Sequence, residues 1–145
     1  MASVLGSEMQ VVVFSLGQVE YGGDITKVQE IIRLPEITAL PGTANYILGI
    51  INLRGSIIPI IDLKKKLGLP GAEITDETRV IVVEINSQKV GLVVDEVSEV
   101  ISFSSEEIVP ADAVGFGIQE KYLLGVVRIS ERLLILLSLD RIFAD

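Results

Sequence analysis

Residues 46–63 read YILGIINLRGSIIPIIDL, and residues 122–139 read YLLGVVRISERLLILLSL. Laid on one another, Tyr46 meets Tyr122, Leu48 meets Leu124, Gly49 meets Gly125, Ile57 meets Leu133 and Leu63 meets Leu139. Upstream the same is true at a smaller offset. Leu16, Gly22, Val28, Glu30, Ile31 and Ile32 fall on Ile85, Gly91, Val97, Glu99, Val100 and Ile101. The extra length of the second copy lies in the loop between Phe103 and Tyr122. Aliphatic runs align by chance, but glycines and tyrosines matched in order do not. The chain reads as an internal duplication, with halves at about 9–69 and 79–143.

Each half divides into about five short apolar runs bounded by turn residues. Strands are expected at Met9–Leu16, Val19–Gly22, Val28–Leu34 (stopped by Pro35), Leu48–Leu53 and Ser56–Ile61. The second half offers Arg79–Ile85, Gln88–Val94, Glu96–Phe103, Leu123–Ile129 and Arg132–Leu137. A helical turn is expected around Thr43–Tyr46, another at Ser104–Glu107 with capping-box spacing, and a small terminal helix at Leu139–Phe143. Residues 1–8 are expected to be a flexible tail. The composition agrees with strands: 20 Ile and 18 Val, both stiff at χ1 and suited to a pleated surface. The expected fold is all-β. Two five-stranded barrels pack together, since a sheet that curls shut removes its exposed edges.

Composition also excludes functions. The 145 residues include no Cys and no His. That removes thiolate chemistry, the commonest general base and the commonest transition-metal ligand. Asp95-Glu96 and Glu106-Glu107 are adjacent carboxylates, which on a strand point different ways; they read as surface charge. Gly115-Phe116-Gly117 is too little for a nucleotide site, and no phosphate-loop motif is present. A formal charge of −8 and the lack of Trp oppose nucleic-acid binding. Lys64-Lys65-Lys66, the only basic cluster, reads as the solvated side of a helical turn. No apolar run reaches a membrane span and no export signal is visible, so a soluble cytoplasmic protein is expected.

Arg54-Gly55 is the tip of the first repeated hairpin, where the second has Ser130-Glu131. The fold therefore does not demand arginine there. Either Arg54 pairs with a carboxylate of its own chain, Asp62 or Glu30, or it contacts a partner; contact is favoured because arginine's planar fork makes several directed bonds. Pro59, inside the following strand, is expected on an edge.

The stretch Tyr46–Gly55 with Ile57–Leu63 resembles the signature of the CheW family, adaptor proteins of bacterial chemotaxis. Tyr21-Gly22, Asp24-Ile25 and Val28-Gln29-Glu30-Ile31-Ile32 resemble the family's first motif, and Gly91-Leu92-Val93-Val94-Asp95-Glu96-Val97 its third. The motifs stand in order from about Met9 to the C-terminus. Gly23 departs from the pattern, where an apolar β-branched residue is usual, and would loosen the strand edge. The resemblance implies two SH3-like barrels with some exchange of the first strand, no cofactor and no catalysis. It implies an adaptor coupling the cytoplasmic tips of chemoreceptors (methyl-accepting chemotaxis proteins) to the regulatory domain of the histidine kinase CheA, at membrane-associated arrays and without inserting into the membrane. The family's receptor-binding groove maps onto Val12, Ile25, Val28, Ile31, Val97 and Val100, with Glu30 and Arg54 as polar contacts. Gly49 and Gly91, with Arg54, match positions that shape the kinase-side interface. Three rival readings are an isolated CheW-like regulatory domain of a CheA-type kinase, an oligonucleotide-binding barrel and a carboxylate enzyme. The first is disfavoured by the short tail and complete ends, the others by charge and by the lack of an assembled site.

Overall fold

A computed structural model describes residues 7–71, 73–110 and 120–143. Of the expected tail at 1–8, residues 1–6 lie outside these residues, as do much of the inserted loop and Gly115-Phe116-Gly117. The Ser7 carbonyl accepts from the Ser105 N–H, and Glu8 already belongs to a strand, opposite Ser104. Eleven strands and two short helices are described. They run β1 (Glu8–Leu16), β2 (Val19–Asp24), β3 (Val28–Arg33), β4 (Ile47–Leu53), β5 (Ser56–Asp62) and α1 (Leu63–Lys66) in the first repeat. The second repeat holds β6 (Arg79–Ile85), β7 (Gln88–Val94), β8 (Glu96–Ser104), β9 (Val109–Pro110), β10 (Leu123–Ile129), β11 (Arg132–Leu137) and α2 (Leu139–Ile142). The hairpin turns use left-handed backbone at Gly17, Arg54-Gly55, Asn86-Ser87 and Ser130, as tight hairpins between right-twisted strands require. The expected helical turn at 43–46 is instead a turn, closed by Ile47 N–H donating to the Ala44 carbonyl.

The strands form two sheets, ordered β8-β1-β2-β11-β10-β9 and β3-β6-β7-β5-β4. The duplication is visible in the registers. β11 runs parallel to β2 with Leu136 opposite Gly22, and β5 runs parallel to β7 with Ile60 opposite Gly91. Both sheets mix the repeats. The hairpin β1–β2 sits with β8, β10 and β11 of the second repeat, and the hairpin β6–β7 sits with β3, β4 and β5 of the first. The connections explain this. Only a 3₁₀ turn at Ile25–Lys27, capped by the Asp24 carboxylate, separates β2 from β3, and only Asp95 separates β7 from β8. Links that short carry the chain onward into the other sheet.

Alternation then builds three cores. Val11 and Val13 point into the first sheet's own core with Phe103, Val127, Leu134 and Leu136. Val80, Val82 and Val93 fill the second sheet's core with Ile51, Ile58 and Ile60. The opposite faces of the same strands (Val12, Phe14 and Leu16; Ile81, Val83 and Ile85) join a larger seam between the sheets, completed by Tyr122, Leu137 and Ile142. Burial in this seam pushes the Tyr21 phenol up to about 12.

Pro59 is not on an edge, because β5 lies between β4 and β7. It is tolerated for a different reason. Its partner Ile50 exchanges both backbone bonds with Thr38 on the far side, so Ile50–Pro59 is a non-hydrogen-bonded pair. Towards β7, pairing begins one residue later, at Ile60. The lysine run is likewise not uniformly solvated. Lys64 is almost covered and pairs with Asp95 at 3.2 Å, while the Lys66 ammonium lies 4.3 Å from the Tyr46 ring centre and 5.9 Å from that of Tyr122.

Candidate protein-docking face

β3 and β8 are each an edge strand of their sheet, and each packs a valine, Val28 or Val97, against the inter-sheet seam. Each carries a bulge at the same point of the repeat, between Val28 and Glu30 and between Val97 and Glu99. The added residue keeps Val28 and Ile31, three positions apart, on one face. Their cross-strand partners Val83 and Ile81 both belong to the seam. Val97 and Val100 repeat the arrangement opposite Phe14 and Val12. Val28, Val97 and Ile25 are half-buried against the seam, while Ile31 and Val100 are 39 % and 50 % exposed. Val12, at 2 %, has no surface to offer and lies beneath Val100.

Glu30 sits on the other face of β3, opposite Val82 of the second sheet's own core. Its carboxylate accepts a hydrogen bond from the Arg54 guanidinium, so the internal pair foreseen as one of two possibilities is present. Arg54 nonetheless remains 68 % exposed. The predicted residues thus form two groups: an apolar strip along the seam, and a Glu30–Arg54 pair at the neighbouring sheet's mouth. The second repeat answers with Arg132, which donates to Glu20 at 2.9–3.0 Å and lies 2.9 Å from Glu99, the equivalent of Glu30. These two carboxylates hold the guanidinium well above its ordinary pKa. Arg132 was not singled out from the sequence because it stands two positions beyond the hairpin position equivalent to Arg54.

Gly49 and Gly91 have internal explanations. A Cβ on Gly49, whose φ is +151°, would lie 2.1 Å from the Thr38 carbonyl oxygen. Its twin Gly125 would meet the Val109 oxygen at 2.3 Å. A Cβ on Gly91 would lie 2.6 Å from Ile60 Cδ1. Composition did not single out Ile57 and Leu133. These repeat equivalents, on β5 and β11, are 64 % and 60 % exposed. Among the described residues no three acidic side chains converge to hold a metal ion, and no helix is long and apolar enough to cross a membrane.

A family model for the CheW-like domain matches residues 10–145. The chain belongs to the CheW family. It is 41 % identical over 133 residues to chemotaxis protein CheW of Klebsiella aerogenes, covering 92 % of this chain and 80 % of that protein. The CheW of Rhizobium meliloti is 34 % identical over 134 residues, covering 92 % and 86 %. The crystal structure of scaffolding protein TtCheW from Thermoanaerobacter tengcongensis matches with a TM-score of 0.88 at 40 % identity, over 96 % of this chain and 94 % of that one. The two relatives are named for chemotaxis and the solved structure for scaffolding, and this chain shares the all-β fold of that structure.

Proposed function

We propose that the protein is a coupling adaptor that joins the cytoplasmic tips of chemoreceptors to the regulatory domain of the histidine kinase CheA, at receptor arrays beneath the membrane. The observation that carries this reading is the pair of exposed aliphatic side chains at one position of the repeat, Ile31 and Val100, on the two edge strands that border the seam. A soluble protein leaves such a strip uncovered where another apolar surface is to lie on it. An amphipathic helical hairpin, the form of a receptor tip, fits by its apolar face. Ile57 and Leu133 supply a second, pseudo-symmetric pair of contacts on the hairpins. These suit the kinase's own CheW-like domain, barrel against barrel. Transmission then amounts to a shift between two packings and needs no chemistry.

Arg54 belongs to the rim of this assembly. Its ion pair is largely exposed, and such pairs are worth about 0–1 kcal/mol. Arg54→Ala is therefore expected to leave the melting transition within a degree or two and to weaken ternary assembly several-fold, in a pull-down with CheA and receptor-tip fragments. Ile31→Glu should abolish tip binding while CheA binding persists. A wild-type protein that is folded and binds neither partner would refute the adaptor reading.

A further inference from the structure

Arg33 and Arg79 stand directly opposite one another on β3 and β6. Like charges in that relation destabilise a sheet, and the fold does not require them. The equivalent pair in the other sheet is Gln10 and Ser102, neutral and joined by a 3.1 Å hydrogen bond. Among the described residues no carboxylate lies within ion-pair distance of either arginine. Arg79 is anchored by two 2.8 Å bonds from Nη1 to the backbone carbonyls of Asp76 and Thr78. Arg33 is exposed. Together they border a cleft of about 200 Å³ with Ile74, Thr75, Asp76 and Thr78. In a chain of net charge −8, two facing guanidiniums without an acidic partner are a local reversal of sign.

Their place is informative. Along β3, Val28, Ile31 and Arg33 share the face whose partners are Val83, Ile81 and Arg79. The apolar strip therefore runs directly into the arginine pair at one end. We propose that Arg33 and Arg79 form a carboxylate-binding terminus of the docking face, taking an acidic side chain on the protein segment laid along β3. This placement rests on the adaptor reading above. A carboxylate bridging two guanidiniums makes charge-assisted bonds and relieves their repulsion together. The specificity would be this chain's own: a partner with an acidic residue one or two turns beyond its apolar contacts.

The test uses the full-length chain, labelled so that arginine Nε–Hε signals are visible by NMR. A helical peptide bearing Glu is expected to shift the Arg33 and Arg79 signals saturably while Arg132, already paired, stays still. The same peptide with Gln should not do so, and inorganic phosphate, which lacks the apolar contacts along β3, should do so only at far higher concentration. Arg33→Gln relieves the repulsion while keeping the two backbone bonds of Arg79, so this variant should melt at the same temperature or higher. It should bind a receptor-tip fragment about tenfold more weakly, with a flatter dependence on salt. If the Glu peptide moves neither arginine, if phosphate moves them equally, or if the tip binds variant and wild type alike, the proposal is overturned. If the Glu peptide shifts both arginines but the wild-type chain ignores the tip, the receptor reading falls and the carboxylate site stands with another protein as its occupant.

Discussion

Gly49 and Gly23 stand in strands of one repeat and respond to a methyl group in opposite ways. At Gly49 the methyl would run into the Thr38 carbonyl, and its φ of +151° strains any L residue. Gly49→Ala is expected to cost about 3 kcal/mol in urea unfolding, with Gly125→Ala close behind. At Gly23 the methyl would meet Leu139 Cδ1 at 3.5 Å and Phe14 Cε1 at 3.7 Å, ordinary contact. Gly23→Ala should stabilise by about 0.4–1 kcal/mol, because the unfolded chain loses freedom and the native one loses nothing. The sequence marked Gly49, Gly91 and Gly125 by repetition but could not give the reason. At Gly49 it is a carbonyl from a loop eleven residues upstream, and at Gly91 a side chain from the neighbouring parallel strand. Arg54 shows the same boundary. Glu30 was nameable as a partner, yet only three dimensions show the pair lying off the face that carries Ile31.

Ten strands were legible to within a residue or two, and the two-residue β9 was not. The inner strands β1, β6, β7 and β11 bury their two faces in two different cores, and their Ile, Val and Leu write that burial directly into the sequence. Single polar groups inside such elements were not legible. Lys64 and Asp95 looked like ordinary surface charge, but they tie α1 to the β7–β8 link, and the same carboxylate Oδ2 takes the Gly17 N–H at 2.7 Å from the β1–β2 turn. One side chain thus holds three elements drawn from both repeats. Among the described residues Asp95 Oδ1 is buried without a partner, so this carboxylate already bears a desolvation cost. Lys64→Met leaves it less compensated still and is expected to lose about 2–4 kcal/mol. Lys64→Met with Asp95→Asn should recover part of that loss, giving a favourable coupling energy in a double-mutant cycle. Additive losses would mean that the pair, though close, contributes no mutual stabilisation.

At the scale of the molecule, the exchange of hairpins makes the two repeats one folding unit. Alternation specifies which face of a strand is buried but not which copy of a near-identical neighbour it joins, so the partners of β1–β2 were beyond the reach of pattern alone. The short links at Ile25–Lys27 and Asp95 decide it. A chain cut between Glu73 and Ile74, in the loop joining the repeats, should therefore give two fragments that cannot fold alone. The first would hold β3, β4 and β5 without the β6–β7 pair between them, and an orphaned β1–β2 hairpin. Two-stranded hairpins are marginal in water, and each fragment would expose its half of the seam, whose aliphatic side chains contribute about 1.5–3 kcal/mol apiece when buried. Each fragment by itself should show poorly dispersed NMR signals and no cooperative melt. Mixed in equal amounts, the two should recover the dispersed spectrum and one transition whose midpoint rises with concentration. A cooperative melt from either fragment alone would show that a repeat can close on itself, and that the exchange is a consequence of linker length with no role in stability.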